Sequence, residues 1–317
     1  MNPRLLRNKF VSKTDLKLIL ELQKNGRATY SEMASRLGIS VSTAAARTER
    51  LLREKIIEIK ALPNPYKTGM IANAMIAIQA EPSKTDHVCD QLVSNFNITT
   101  VLTVFGRYDI LIKVSFHTWE EMHEFINQGL ARIDGVLHVD PYFIKDYIKR
   151  YEGLFGKVFE NGEQVKLKKD EKALIEFLVQ NGRINFSEIS EKIGAHVSSV
   201  SRRINALINE DFIKIVAVPN PLSFGIWSHA FIVLDAKASQ VDQICENLFP
   251  FPEIVTIANL ITGSGIIVGI HCRNNEILYK FIKEKIVLFE DIKKTETFIS
   301  AEIKKRFYGW FLDEKME

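Results

Sequence analysis

Hydrophobic residues recur at helical spacing over residues 15–23, where Leu16, Ile19, Leu20 and Leu22 mark one face. Gly26 is expected to end this helix. Thr29 and Glu32 stand three apart, as a capping box requires. A short helix is expected to follow, with Met33 and Leu37 inward and Gly38 as its stop. Ser40 can cap a third helix whose core stripe is Ala44, Thr48 and Leu51. Residues 56–59 read as a short strand. The pattern then changes. Residues 70–79, 99–105, 110–114 and 136–148 are apolar strands. Between them lie amphipathic helices at 84–96 (Val88, Leu92, Val93) and 120–130 (Met122, Phe125, Ile126, Leu130). The order β-α-β-β-α-β is the ferredoxin-like arrangement.

The same pattern then runs a second time. Asn25-Gly26-Arg27 returns as Asn181-Gly182-Arg183, Gly38 as Gly194, Pro63-Asn64-Pro65 as Pro219-Asn220-Pro221 and Gly69 as Gly225, each at an offset of 156. Arg150 and Gly153 answer Arg306 and Gly309 at that offset, and Gly106 matches Gly263 at 157. In the second copy Leu174, Ile175 and Leu178 pattern the first helix, Asn185 to Glu188 has the form of a capping box, and Ile189 and Ile193 point inward. Val200, Ile204 and Leu207 form the third stripe. His196 replaces Ser40, so that cap should be weaker by about 1 kcal/mol. Strands are expected at 230–234, 254–261, 266–271 and 297–303, with helices at 239–248 and 276–286. A repeat this long is a duplicated two-part protein rather than a solenoid. The expected division is 1–62, a helix-turn-helix; 63–152, a βαββαβ domain; 153–166, a Gly-containing linker; 167–218, a second helix-turn-helix; and 219–317, a second βαββαβ domain.

At 317 residues, 46% hydrophobic and 26% charged, the chain can bury real cores. No apolar run approaches the ~20 residues of a membrane span, and the first ten residues lack an apolar signal core, so a cytoplasmic location without membrane contact is expected. Three scattered cysteines, Cys89, Cys245 and Cys272, argue against a disulfide scaffold or a zinc site. No H-E-x-x-H or G-x-S-x-G occurs, and Gly263-Ser264-Gly265 reads as a hairpin turn rather than a dinucleotide fingerprint. His138, His229 and His271 belong to strands. Neither a metal, a cofactor nor a catalytic residue is expected.

Three short helices with a glycine turn before the third describe a helix-turn-helix, whose third helix enters the DNA major groove. A three-helix bundle with no DNA role would share the pattern. The charge distribution favours DNA. Residues 1–62 hold 13 Lys and Arg against 6 Asp and Glu, a net of +7, while 63–156, 157–218 and 219–317 carry −3, +1 and −2. Arg36, Arg47, Arg50 and Arg53 are candidate phosphate contacts. The outward face of the first recognition helix, Val41, Ser42, Ala45 and Ala46 with Thr43 beside them, is small and suits thymine methyl groups. The second offers Ser198, Ser199, Ser201, Arg202 and Arg203, with Asn205 beyond. There Arg can read guanine and Asn adenine. Double-stranded DNA is therefore the expected partner. Strands such as Ile110-Leu111-Ile112 and Ile266-Ile267-Val268 are apolar on both faces, which predicts that the two sheets pack together as an intramolecular pseudo-dimer, open to further homo-oligomerisation.

These features together resemble the Lrp/AsnC family of transcriptional regulators. Leu22-Gln23-Lys24-Asn25-Gly26-Arg27 resembles the end of the family's first helix, Leu37-Gly38-Ile39-Ser40 its turn, and Gly106-Arg107-Tyr108-Asp109 its Gly-x-Tyr-Asp loop. The chain departs from the usual single unit by carrying two. The fold class implied is α+β, a tandem duplication of a winged helix-turn-helix followed by a ferredoxin-like βαββαβ effector domain. The function implied is sequence-specific DNA binding modulated by a small effector such as an amino acid, met by Gly106, Tyr108 and Asp109. A plain β-turn would use the same residues, and the second copy lacks the Tyr-Asp. Siroheme decarboxylases resemble the same family, work as two unlike subunits and are sometimes fused, so a related enzyme is an alternative. Their His- and Arg-rich stretch corresponds here to residues 105–111, which hold no histidine. A co-regulator that binds proteins but not DNA is a third reading.

Overall fold

The computed structural model describes residues 11–64, 67–150 and 167–306. The expected linker 153–166, together with Pro65 and Gly309, lies outside them. The first copy runs α1 (Lys13–Lys24), α2 (Tyr30–Leu37), α3 (Val41–Arg53), β1 (Ile57–Pro63), β2 (Ala72–Ala80), α4 (Thr85–Val93), β3 (Ile98–Phe105), β4 (Ile110–Phe116), α5 (Trp119–Glu124) and β5 (Val136–Arg150). The second runs α6 (Lys169–Gln180), α7 (Phe186–Ile193), α8 (Val197–Asn209), β6 (Ile213–Pro219), β7 (Ser228–Ala236), α9 (Val241–Leu248), β8 (Ile254–Leu260), β9 (Gly265–Cys272), α10 (Asn275–Phe281) and β10 (Ile292–Arg306). The two copies do not fold separately. One compact unit gathers both helical heads and the other gathers both βαββαβ segments.

In the helical unit each head is a three-helix bundle closed by a wing strand. The predicted stripes are buried: Leu16, Ile19 and Leu22 on α1, Met33 on α2, and Ala44, Thr48 and Leu51 on α3. Val200, Ile204 and Leu207 do the same on α8. Thr29 and Glu32 form their capping box. The expected box at Asn185 does not form, since the Asn185 side chain makes no cap hydrogen bond. His196 likewise contributes no side-chain cap, whereas Ser40 accepts from the Thr43 N–H at 3.1 Å.

The wing strands β1 and β6 then pair antiparallel through seven register pairs, with Lys60 opposite Val216, its own counterpart in the repeat. The ladder is therefore centred on the pseudo-twofold that relates the heads. Three pairs of hydrogen bonds around it are reciprocal. The Gly26 N–H donates to the Ile215 carbonyl at 2.7 Å, and the Gly182 N–H donates to that of Ile59 at 2.7 Å. Asn64 N–H donates to Phe212 O at 2.8 Å, and Asn220 N–H to Ile56 O at 2.9 Å. Arg27 Nη2 donates to Ile184 O at 2.8 Å, and Arg183 Nη2 to Ala28 O at 3.1 Å. Helix α1 packs against β6 and α6 against β1, so each head is braced by its partner's wing.

This corrects the reading of Gly26. The helix ends instead on Asn25, in extended geometry at φ −147°. The helix ends that do carry left-handed glycines include those of α2 and α7, at Gly38 and Gly194, both at φ 66°. Gly26 is required because a Cβ there would lie 2.9 Å from the Ile215 carbonyl oxygen and 2.9 Å from the Val216 nitrogen.

In the other unit the expected face-to-face sheets are one closed barrel, ordered β10-β3-β4-β2-β5-β8-β9-β7. Each copy supplies four strands in ferredoxin-like order. A lone sheet of this kind would leave β3 and β5 as open edges, and their unpaired backbone groups favour pairing. Here β5 pairs with β8 and β10 with β3, which removes every edge. The double-sided apolar strands are explained by this closure. On β2, Ala74, Ile76 and Ile78 face helices α4 and α5. Met75 and Ala77 face inward with Leu102, Leu111, Phe231, Ile267 and Phe298. The predicted long helices are less regular than expected. The segment after α5 widens into a π-helical turn at Phe125–Gly129, and that after α10 does so at Ile282–Ile286.

Gly26→Ala and Gly182→Ala should each destabilise the helical unit by about 1–3 kcal/mol, as overpacking of a tight contact does. Urea unfolding of the two single variants beside the parent checks this, and a change below about 0.5 kcal/mol would show that the ladder yields to a methyl group.

Candidate nucleic-acid interface and effector loop

Helices α3 and α8 each present an outward face. On α3, Val41, Ser42, Ala46, Glu49 and Arg53 are exposed, and Thr43 and Ala45 are half-buried. Ser42 and Thr43 sit in the first turn, where the Ser40 hydroxyl lies 3.0 Å from Ser42 Oγ and 2.8 Å from Thr43 Oγ1. On α8, Ser198, Arg202 and Asn205 are exposed, with Ser199, Ser201 and Arg203 half-buried. Ser198, Ser201, Arg202, Asn205 and Asn209 line an open concavity along that helix.

The arginines expected on phosphate are largely held by the protein itself. Asp15 is buried, and Arg47 Nη1 donates to its Oδ1 at 3.1 Å while Arg50 Nη2 donates to its Oδ2 at 2.9 Å. Arg47 also reaches Ser12 Oγ at 3.1 Å, and Arg50 reaches Glu54 at 3.1 Å. Ser12 completes the cluster, donating to Asp15 from its N–H at 2.8 Å and its hydroxyl at 2.7 Å. Burial alone would raise the Asp15 carboxyl. The Ser12 hydrogen bonds and the two guanidinium groups outweigh it and hold the group below its usual value. Arg36 donates to Glu21 at 2.7 Å and Arg203 to Asp170 at 2.8 Å. All four guanidinium groups thus brace the first helix of a head, a role that charge counting does not reveal. Arg27 and Arg183, which sequence reasoning passed over as part of a helix end, are the wing clasp. Their signal was the exact recurrence of Asn-Gly-Arg.

In the barrel unit, the loop joining β3 to β4 carries Gly106, Tyr108 and Asp109. Gly106 is exposed at φ 129°. Tyr108 is 2% exposed, and its hydroxyl donates to Asp140. Burial, then this hydrogen bond, pushes its phenol up to about 12. Asp109 Oδ2 accepts the Ala80 N–H at 2.8 Å. Tyr108 and Asp109 therefore shape the loop, and Phe105, Gly106 and Arg107 are what it shows outward. The second loop is filled differently: a Cβ on Gly265 would lie 2.6 Å from Leu260 Cδ1. Beside the loop, Tyr142 donates to Glu296 at 2.7 Å, and Phe298 lies 5.7 Å from the Tyr108 ring. Burial pushes the thiols of Cys89 and Cys245 up to about 11 and that of Cys272 to about 12. Among the described residues no helix is long and apolar enough to cross a membrane.

Family models match most of this architecture. A winged helix-turn-helix DNA-binding model matches residues 11–58 and again 170–214. An Lrp/AsnC ligand-binding domain matches 73–154, and a C-terminal dimeric alpha+beta barrel domain matches 220–313. An HTH-type transcriptional regulator of Pyrococcus horikoshii is 35% identical over 151 residues, covering 47% of this chain and 95% of that protein. The chain belongs to the Lrp/AsnC family. A second HTH-type regulator, from Pyrococcus abyssi, is 37% identical over 123 residues, 38% of this chain and 78% of that one. Among solved structures, the siroheme decarboxylase NirDL has the same fold across 96% of both chains, with a TM-score of 0.61 and 14% identity. A single Lrp/AsnC relative thus corresponds to about half of this chain, as the tandem repeat requires.

Asp15→Asn should lower the stability of the helical unit at neutral pH by about 1–3 kcal/mol, the cost of weakening bonds to a buried charged group. Because the folded carboxyl titrates below its unfolded value, its contribution is complete above the ordinary carboxylate range and is lost as pH falls through the folded value. The gap between parent and variant should therefore close on acidification. Denaturant midpoints at pH 7 and in strong acid test this, and a gap independent of pH would remove the carboxylate from the account.

Proposed function

We propose that the chain is a sequence-specific DNA-binding transcriptional regulator of the Lrp/AsnC type and not an enzyme. The observation that carries this is the pair of recognition helices, each with a solvent-facing outer surface, on heads locked about one pseudo-twofold axis. That is the frame a helix-turn-helix dimer offers to duplex DNA. Ser198, Ser201 and Arg202 would read base edges, with Ser199 and Arg203 beside them. Ser42 and Thr43 at the start of α3 and the exposed Arg53 would meet the backbone. Arg36, Arg47 and Arg50 would add positive field while bracing α1. The two relatives described above are named as regulators, which supports this reading.

A small effector such as an amino acid would act at the β3–β4 loop, with Gly106 presenting backbone N–H groups to a carboxylate and Tyr108 and Asp109 holding the loop in shape. The siroheme decarboxylase shares the fold, but the 105–111 stretch here holds Arg107 and no histidine.

Binding to genomic DNA fragments across a salt series, with and without pooled amino acids, tests the proposal. Fragment-selective binding with a steep negative slope of log affinity on log salt is expected. Arg202→Ala should flatten the preference among fragments by about five- to a hundredfold while changing nonspecific affinity little. Absence of selective binding at any salt would defeat the regulator and direct attention to tetrapyrrole decarboxylation.

A further inference from the structure

The clasp between the heads is symmetric in its strand pairing and its backbone hydrogen bonds. Their reading faces are not. Matching the helices at the repeat offset of 156, Val41 stands against Val197 and Ser42 against Ser198, so the first turns agree. One turn on they diverge: Ala45 faces Ser201, Ala46 faces Arg202 and Glu49 faces Asn205. Ala46, Glu49, Arg202 and Asn205 are all exposed, so these differences lie on the surface. The bracing differs as well. Arg50 is bound to Asp15, while its counterpart Ala206 leaves α8 without that tie.

Resting on the DNA-binding reading above, we infer that the chain recognises a non-palindromic element, in which two half-sites are placed as a dyad but differ in sequence. The placement follows from the ladder. Lys60 pairs with Val216 at its centre, the backbone N–H bonds of Gly26 and Asn64 correspond to those of Gly182 and Asn220, and the Nη2 bond of Arg27 to that of Arg183. The recognition helices are thereby set about one twofold, and they meet half-sites of opposite orientation. The sequence difference follows from the side chains. Arg202 carries a planar fork suited to O6 and N7 of guanine, and Asn205, three residues on and on the same face, suits N6 and N7 of adenine. The half-site under α8 contains a guanine and an adenine read in this way. Ala46 offers only a methyl group, which suits the thymine methyl, and Glu49 only acceptors, which suit the cytosine amino group. The half-site under α3 is read through those contacts and confers less discrimination. An unlinked pair of identical chains could not keep such an assignment.

Selection from a random-sequence duplex pool with the full chain tests this. The parent should enrich an element with dyad spacing whose arms differ, the guanine and adenine lying in one arm. The double variant Ala46→Arg, Glu49→Asn gives α3 the α8 reader. It should enrich an inverted repeat of that arm and bind this repeat about tenfold or more tighter than the parent does. The converse double variant, Arg202→Ala with Asn205→Glu, should enrich an inverted repeat of the other arm, and it serves should the first variant fail to fold. An inverted repeat selected by the parent, or an unchanged consensus from a folded double variant, would overturn the inference and leave DNA binding standing. No enrichment by the parent at any salt would overturn DNA binding itself, and this inference with it.

Discussion

The helical unit depends on one short backbone contact, the approach of β1 to β6 over Gly26 and Gly182. A two-stranded ladder is marginal by itself. This one persists because each strand is also the floor of the opposite head, with α1 on β6 and α6 on β1. The glycines let the end of each first helix come down onto the partner's strand, where a 2.7 Å hydrogen bond replaces the side chain. Arg27 and Arg183 then tie the carbonyls on either side, and the Arg27 guanidinium lies 4.3 Å over the Phe186 ring. Neither head can be completed without the other.

The barrel repeats this logic at larger scale. Four strands from each copy leave two open edges, and the two sets of edges satisfy one another. The interior is shared, with Met75, Leu102 and Leu111 from the first copy meeting Phe231, Ile267 and Phe298 from the second. Symmetry stops at the loops. Where the first copy has Tyr108 on Asp140, the second has Gly265 beneath Leu260. In both units the backbone keeps the pseudo-twofold and the side chains at the recognition helices and the β3–β4 and β8–β9 loops abandon it. This is the expected division when two linked copies stay bound to one frame and diverge on their surfaces.

Much of the fold was legible because periodicity reports burial. Leu16, Ile19, Ala44, Thr48 and Leu51 were named from spacing and are buried. The double-sided strands announced a covered second face. What spacing could not convey was the partner that covers it, since edge pairing leaves no mark in the alternation of side chains. For the same reason the wing ladder and the role of Gly26 were hidden: a glycine that ends a helix and a glycine that admits a backbone look alike in sequence. The arginines misled through charge. Arg47 and Arg50 count toward a positive field, but Asp15, 32 and 35 residues away, engages both. On α8 the exposure of Arg202 and Asn205 was legible, because the buried Val200, Ile204 and Leu207 stripe leaves those positions outward.

Carrying both halves on one polypeptide also changes how this scaffold responds to dilution. Two separate chains pair at a rate set by their concentration, and at low copy number much of the population would stand as incomplete halves. Here the second half is always within reach of the first, at an effective concentration fixed by the connecting segment rather than by expression. The pairing of β1 with β6 is therefore insensitive to the number of molecules in the cell. Related single-unit chains cannot readily exchange into it, because a newcomer would have to displace a tethered competitor.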